Sequence, residues 1–200
     1  MTDRNYTTSA KISAFLGKTI TESLTDYILA AQKYIEDYTG RIFKADSTAS
    51  TRLFNGNGKC EIFVDECIQI TKVETGNDSY GETFTEVASS GADRYFIKPD
   101  NYDKHDPKLP ITSIIVNARY FLEGIQNQRI TAKWGSYVAA PEDVSFAATV
   151  IASGMYNSNK GGSGKKSESI GNYSVTYTEG NWADFDRAKT ILNNYKKMYL

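Results

Sequence analysis

Apolar residues recur along the chain first with a helical period, then with a strand period, then with a helical period again. From about Glu22 to Thr39 they fall at Leu24, Tyr27, Ile28, Ala31, Tyr34, Ile35 and Tyr38, at spacings of three, one, three, three, one and three. That spacing puts them on one face of an α-helix. Gly40 follows, suited to the left-handed position just past a helix end. The shorter segment SAKISAFLG, Ser9 to Gly17, reads as another helix closed by glycine.

Between about Thr51 and Trp134 the pattern changes. TRLF-NGNG-KCEIFV sets a turn signal between two β-rich runs and predicts a hairpin. Strands are predicted at Ile68 to Glu74, Thr83 to Val87, Arg94 to Ile97, Ile111 to Asn117 and Arg129 to Trp134, punctuated by Gly, Asn, Asp and Pro. A block of this kind suggests an antiparallel sandwich or small barrel.

Helical pattern then returns. Pro141 suits a first helical position, and Glu142 and Asp143 suit the positive end of the helix dipole. Val144, Ala147, Ala148, Ile151 and Met155 give this helix one apolar face. YSVTY, Tyr173 to Tyr177, alternates as a strand does. The last helix is expected after Asn181, a good N-cap. Its stripe is Trp182, Phe185, Ala188, Ile191, Leu192, Tyr195 and Tyr199, with Lys196 and Lys197 at the end where the dipole favours cations. The expected class is therefore α+β. Residues 1–46 and 136–200 form a discontinuous helical bundle domain with a strand near 173–177, and 47–135 form a β-rich insertion. The final helix, from Trp182 to about Met198, is expected to dock on the helix at 22–39, because both stripes need cover.

Composition narrows the class. The chain has 200 residues, 40% hydrophobic, with a formal net charge of −1. That balance gives no overall electrostatic footprint for nucleic acid. Apolar runs are too short to span a bilayer, so no membrane partner is expected. The N-terminus MTDRNYTTSAKI lacks the apolar core of a signal peptide, which points to a cytoplasmic home. Tyrosine, at 14 residues, combines apolar area with a polar tip and suits interfaces. Cys60 and Cys67 flank EIFVDE, too short a segment to fold back on itself comfortably. They read as two reduced thiols, and with one His in the chain they make no zinc site.

Candidate chemistry is sparse. KGGSGKKSESIGNYSVTY, from Lys160 to Tyr177, resembles a phosphate-binding loop at first sight. Aligning Gly164-Lys165 with the end of that motif puts Asn159 where the first glycine belongs and Lys166 where Ser or Thr should hold magnesium. A helix precedes the loop and a strand follows, the reverse of a phosphate cradle. The composition is that of a flexible linker, and Asn157 to Gly171 is expected to be mobile in a free subunit and to order against a partner. DNYDKHD, with Asp100, Asp103, His105 and Asp106, fails the calcium-loop pattern because Tyr102 and Lys104 occupy alternate positions. His105 has no serine elbow to serve, so the segment reads as a solvated loop. Asp65-Glu66 reads as a strand-end turn, Lys165-Lys166 as solvated loop, and Trp134-Gly135 as a strand end in the core. No catalytic, cofactor-binding or metal-binding residue is assigned, and no cofactor.

Three stretches together resemble the head-tail connector family of long-tailed bacteriophages, also called adaptors or head-completion proteins. They are LTDYILAAQKYIEDYTGRIF, WGSYVAAPEDVSFAATVIASGMYN, and SESIGNYSVTY followed by a helix with AKTILNNYKK. The string SESIGNYSVTY is the most specific. The resemblance covers roughly half the chain, at its two ends. The β-rich centre exceeds the minimal family pattern, which leaves it open as decoration outside a ring or as a tail-facing surface.

The resemblance implies a non-enzymatic structural protein of the virion, at the head-tail interface, assembled in the host cytoplasm. Roughly twelve copies would ring the portal vertex, extend the DNA channel and present a docking surface to the next connector or tail. Packaged DNA would pass without sequence-specific binding. Interface candidates implied by the family are Lys160, Gly161, Gly162, Gly164, Lys165, Lys166, Ser169, Ile170, Tyr173 and Tyr177. The three lysines would face DNA or an acidic portal surface. Two other classes stay open: a carbohydrate- or peptide-binding β module on a helical scaffold, and a hydrolase built around His105.

Overall fold

The computed structural model of the chain describes residues 4–106, 108–117, 119–160, 167–170, 173–176 and 180–197, of which 167–170, 173–176 and 180–184 are described through the backbone. It is α+β and divides into two compact units, Met1–Arg41 with Ala140–Leu200, and Ile42–Ala139.

The first unit holds helices α1 (Ser9–Leu16), α2 (Thr25–Thr39), α3 (Glu142–Lys160) and α4 (Gly180–Asn193). Thr8 caps α1 by accepting the Lys11 N–H at 3.3 Å. Gly17 and Gly40, with φ of 63° and 68°, close α1 and α2 in the left-handed conformation that glycine takes without a Cβ clash. The helix expected from Glu22 starts three residues later, at Thr25, and Glu22 lies in the α1–α2 connection. Helix α3 is the centre of the unit and packs against α1, α2 and α4. Val144, Ala147, Ala148 and Ile151 are buried as the spacing predicts, and so are Ser145, Thr149, Val150, Ala152, Ser153 and Tyr156. Small residues on most sides let three helices approach one axis. Met155 is only half-buried.

Helix α4 begins at Gly180, so Asn181 lies inside it rather than capping it. Its buried anchors are Ala188 and Leu192, with Phe185 and Ile191 half-buried. It packs mainly on α3 rather than on the expected α2. Its ties to α2 and the residues after it are rings and hydrogen bonds. Phe185 lies 5.5 Å from Tyr34, the Tyr38 hydroxyl donates to Asn193 at 2.6 Å, and the Lys197 N–H donates to Thr39 O at 2.8 Å.

The second unit is one six-stranded antiparallel sheet rather than two facing sheets. Its strands are β1 (Ser50–Gly56), β2 (Glu61–Gly76), β3 (Phe84–Glu86), β4 (Tyr95–Lys98), β5 (Ile111–Val116) and β6 (Gly124–Trp134), in the order β1-β6-β2-β5-β4 with β3 beside the end of β2. The hairpin expected from NGNG does not form: β1 pairs with β6, not with β2. Gly56 explains the choice. Its N–H donates to Asn127 Oδ1 at 2.9 Å, and a Cβ there would run into Leu122 O, so only glycine allows the close approach. Arg52 ties β1 to β2 instead, through Asp65 at 2.6 Å.

Strand β2, with 16 residues, is bent by register shifts at 63–67, 67–69 and 70–72. Its first half pairs with β5 and its second with β6 and β3. Asp65-Glu66 therefore lies within a continuous strand and not at a strand-end turn. The core under the sheet is built on Trp134, Phe121, Ile111, Ile114 and Ile130, all at most 1% exposed. Trp134 ends β6 in the core, as the sequence suggests, and its Nε1–H donates to Ser50 O at 2.8 Å. Beyond it, 42–46 and 134–137 run side by side. Ala45 N–H donates to Tyr137 O, Tyr137 N–H to Phe43 O and Ser136 N–H to Ile42 O, each at 2.8 Å. The Ser136 hydroxyl bonds the Glu66 carboxylate, fixing this pair of segments to β2.

Candidate assembly surface

The segment that holds the interface candidates begins at the end of α3. Lys160 closes that helix, and its Nζ lies 2.7 Å from Glu22 Oε2. The Tyr156 hydroxyl, one turn earlier on the same face, donates to Glu22 Oε1 at 2.7 Å. Tyr27 meets Tyr156 edge-on with ring centroids 5.7 Å apart, and Asn159 Nδ2 donates to the Tyr27 hydroxyl at 2.5 Å. Lys18 Nζ lies 4.9 Å above the Tyr156 ring. One carboxylate thus takes two donors from consecutive turns of α3 and fastens its last turn to the α1–α2 connection. The hydrogen bonds from Lys160 and Tyr156 hold the Glu22 carboxyl below its ordinary range. The bond to Glu22 raises both the Tyr156 and Lys160 groups. The Lys160 ammonium is therefore already bound to a carboxylate.

Past α3, strands β7 (Ser167–Ile170) and β8 (Tyr173–Thr176) form a two-stranded antiparallel hairpin. Ser169 pairs with Ser174 and Ile170 with Tyr173. The expected mobile segment, Asn157 to Gly171, thus contains the last turn of α3 and a strand. Gly161, Gly162, Gly164, Lys165, Lys166 and Tyr177 lie outside the described residues. The structure brings Ser169, Ile170 and Tyr173 into one hairpin, and Lys160 into a separate cluster with Glu22, Tyr27 and Tyr156. Sequence reasoning missed Glu22 and Tyr156. Tyr156 and Lys160 are four apart on one helical face, which could have flagged a shared partner, but nothing local points to Glu22, 134 residues before Tyr156.

Other candidate groups do not assemble. His105 and Asp106 are exposed beside a 3-10 turn at Tyr102–Lys104. Among the described residues no three His, Cys, Asp or Glu side chains gather as a metal site, and no helix is long and apolar enough to cross a membrane. Both thiols are free; Cys60 is exposed, while burial pushes the Cys67 thiol up to about 12. A charge cluster lies on the sheet. Glu74, 5% exposed, accepts from Arg129 at 2.6 and 2.8 Å and pairs with Lys72 at 2.9 Å. The Arg129 bonds, with Lys72, bring its carboxyl down to about 2. Cross-strand pairing of this kind holds a sheet in register.

No protein-family model matches the sequence, and no curated protein does. Solved structures do match. A chain in the neck of an empty gene transfer agent particle, computed with C6 symmetry, has a TM-score of 0.57 at 14% identity, over 96% of this chain and 89% of that one. A chain in the neck of the native particle, computed with C12 symmetry, has a TM-score of 0.57 at 12% identity, over 100% and 94%. A chain in the virion of the native gene transfer agent has a TM-score of 0.56 at 11% identity, over 96% and 89%. Both units of this chain, helical and β-rich, are thus spanned by a fold found in the necks of gene transfer agent particles.

Proposed function

We propose that this chain is a structural, ring-forming head-tail connector of a phage-like particle. In this reading it docks on the portal vertex, extends the DNA channel and offers an attachment surface to the next connector or tail. The observation that carries the reading is the end-to-end match to neck chains in particles computed with C6 and C12 symmetry. The sequence resemblance to connectors, which rests on different information, supports it. The helices of the first unit would act as a bundle that forms the body of the ring, with the β-rich unit facing outward or toward the tail. The 160–177 region would contact neighbours or the portal, through Lys160, Gly161, Gly162, Gly164, Lys165, Lys166, Ser169, Ile170, Tyr173 and Tyr177. The chain would have no catalytic role, would work in the virion after assembly in the host cytoplasm, and would pass DNA without reading its sequence.

The test is an electron micrograph of the protein alone and mixed with its portal. Rings with an open channel, stacked coaxially on portal rings, are expected. A chain that stays monomeric and fails to bind the portal at high concentration refutes the reading.

A further inference from the structure

The end of β1 and the turn after it carry two Asn-Gly pairs in a row, Asn55-Gly56 and Asn57-Gly58. In such a pair the glycine nitrogen can attack the asparagine Cγ, because no Cβ on the glycine blocks the approach. A bond forms between the glycine N and Cγ, and the bond from Cγ to Nδ2 breaks. The side-chain amide leaves as ammonia, taking the glycine N–H proton. Water then opens the cyclic imide at either of its carbonyls, giving aspartate or isoaspartate. The step is hydrolytic and needs no oxidant or reductant.

The fold treats the two pairs differently. Gly56 is buried at the end of β1, opposite Gly124 of β6. Its N–H is held at 2.9 Å by the Oδ1 of Asn127, which is itself fully buried. Leu122 O fills the place where a Cβ would stand. The Gly56 nitrogen therefore cannot turn toward Asn55 Cγ unless the end of the sheet opens. Asn57 and Gly58 are both exposed, in the turn between the strands. The Gly58 N–H donates to Phe121 O at 3.0 Å, a loop contact that local opening releases. Asn57 Oδ1 accepts the Lys59 N–H at 3.0 Å. That bond draws electrons from Cγ and would stabilise the oxyanion formed on attack.

We infer that Asn57 is a site of self-modification, converted in the folded chain to aspartate and isoaspartate, while the neighbouring Asn55 is protected. The inference does not depend on the ring reading.

The modification reaches the core. Asn57 Nδ2 donates to Glu61 O at 2.9 Å. An ionised carboxylate has no proton to give there, so the product sets two acceptors against each other. Isoaspartate also lengthens the backbone of the turn by one carbon. The backbone between Asn57 and Glu61 holds the segment from Val116 to Phe121: Cys60 O accepts the Val116 N–H and Lys59 O the Phe121 N–H, each at 2.9 Å. Phe121 is a core residue, 1% exposed. Asn55 gives the contrast. It holds the Gln126 N–H at 2.8 Å through Oδ1, and an aspartate keeps that acceptor.

The experiment incubates the full chain, folded, in mildly alkaline buffer and reads each asparagine by peptide mapping and mass spectrometry. Asn57 is expected to convert about tenfold faster than Asn55 or more, since attack at Gly56 first needs the sheet to open. In denaturant the two rates should converge. Asn57→Asp should speed hydrogen exchange at the Val116 and Phe121 amides, and Asn55→Asp should leave them unchanged. If Asn57→Asp fails to fold, aged wild-type protein, separated from fresh by its added charge, gives the same readout. Equal conversion of the two residues in the folded chain, or an Asn57 that reacts only in denaturant, overturns the inference. Unchanged exchange after the amide is lost overturns its reach into the core.

Discussion

Leu192 offers the sharpest test of how α4 is held. Its side chain is fully buried, and only Ala188 shares that state among the described side chains of α4. Truncation to alanine removes three carbons from a helix with few apolar anchors. At about 0.8 kcal/mol per buried methylene the transfer loss alone is roughly 2.4 kcal/mol. The cavity adds to this, because α3 is dense with short alanine side chains that cannot swing into the gap; Leu→Ala changes of this kind cost about 2–5 kcal/mol. For a chain of this size each kcal/mol lowers the melting temperature by about 2–4 °C. Leu192→Ala should therefore lower it by roughly 5–15 °C. Urea unfolding of the first unit, followed by hydrogen exchange in α3 and α4, measures the same loss site by site. Asp186→Ala, on an exposed position of the same helix, should change stability by less than about 0.5 kcal/mol. Asn193 would be a poor control, since it accepts the Tyr38 hydroxyl. Equal stability of the Leu192→Ala and Asp186→Ala proteins would refute the placement of Leu192 in the core.

Three further outcomes follow from the second unit. The Glu74 carboxyl sits at about 2 in the folded chain against an ordinary 4.5. Its contribution is present above pH about 4.5 and lost as pH falls toward 2, so Glu74→Gln should flatten the acid limb of a stability-against-pH curve. An unchanged acid limb would contradict the Arg129–Glu74 pair. A thiol reagent should modify Cys60 in the folded protein and reach Cys67 only on unfolding, as counted by mass spectrometry; equal rates would contradict the burial of Cys67. Gly135 has φ of 135°, and a Cβ there would meet the Ala45 backbone. Gly135→Ala should destabilise the unit by roughly 1–3 kcal/mol from backbone strain, before any clash, and a neutral result in denaturant titration would count against the close packing of 42–46 on 134–137.

The helices were legible because their information is local. The stripe of α2 and the glycines at 17 and 40 state period and end within a few residues, and the structure follows them. Strand existence was legible for the same reason. Strand partners were not, because NGNG is a hairpin signal only if nothing better competes for the edge of β1. The competitor is β6, and what lets it win is Gly56 against Leu122 and Asn127, about 70 residues away. The Glu22 cluster was hidden in the same way. Exposure was the least legible property. Ile62 and Phe63 are neighbours in one apolar run, yet one is 3% and the other 73% exposed. Alternation says that two faces exist but not which one a core covers.

The side-by-side course of 42–46 and 134–137 bears on how such a chain could be built up or taken apart. Paired segments of this kind lie about 4.8 Å apart, so the chain enters and leaves the β-rich unit through almost the same point. The unit is in effect a detour from that point and back. One splice near residues 42 and 139, bridged by a few flexible residues, would remove it without stretching the remaining chain. The excised piece has ends close enough to be joined to each other. Gene-level gain, loss or exchange of the whole β-rich unit therefore needs a single event at one position.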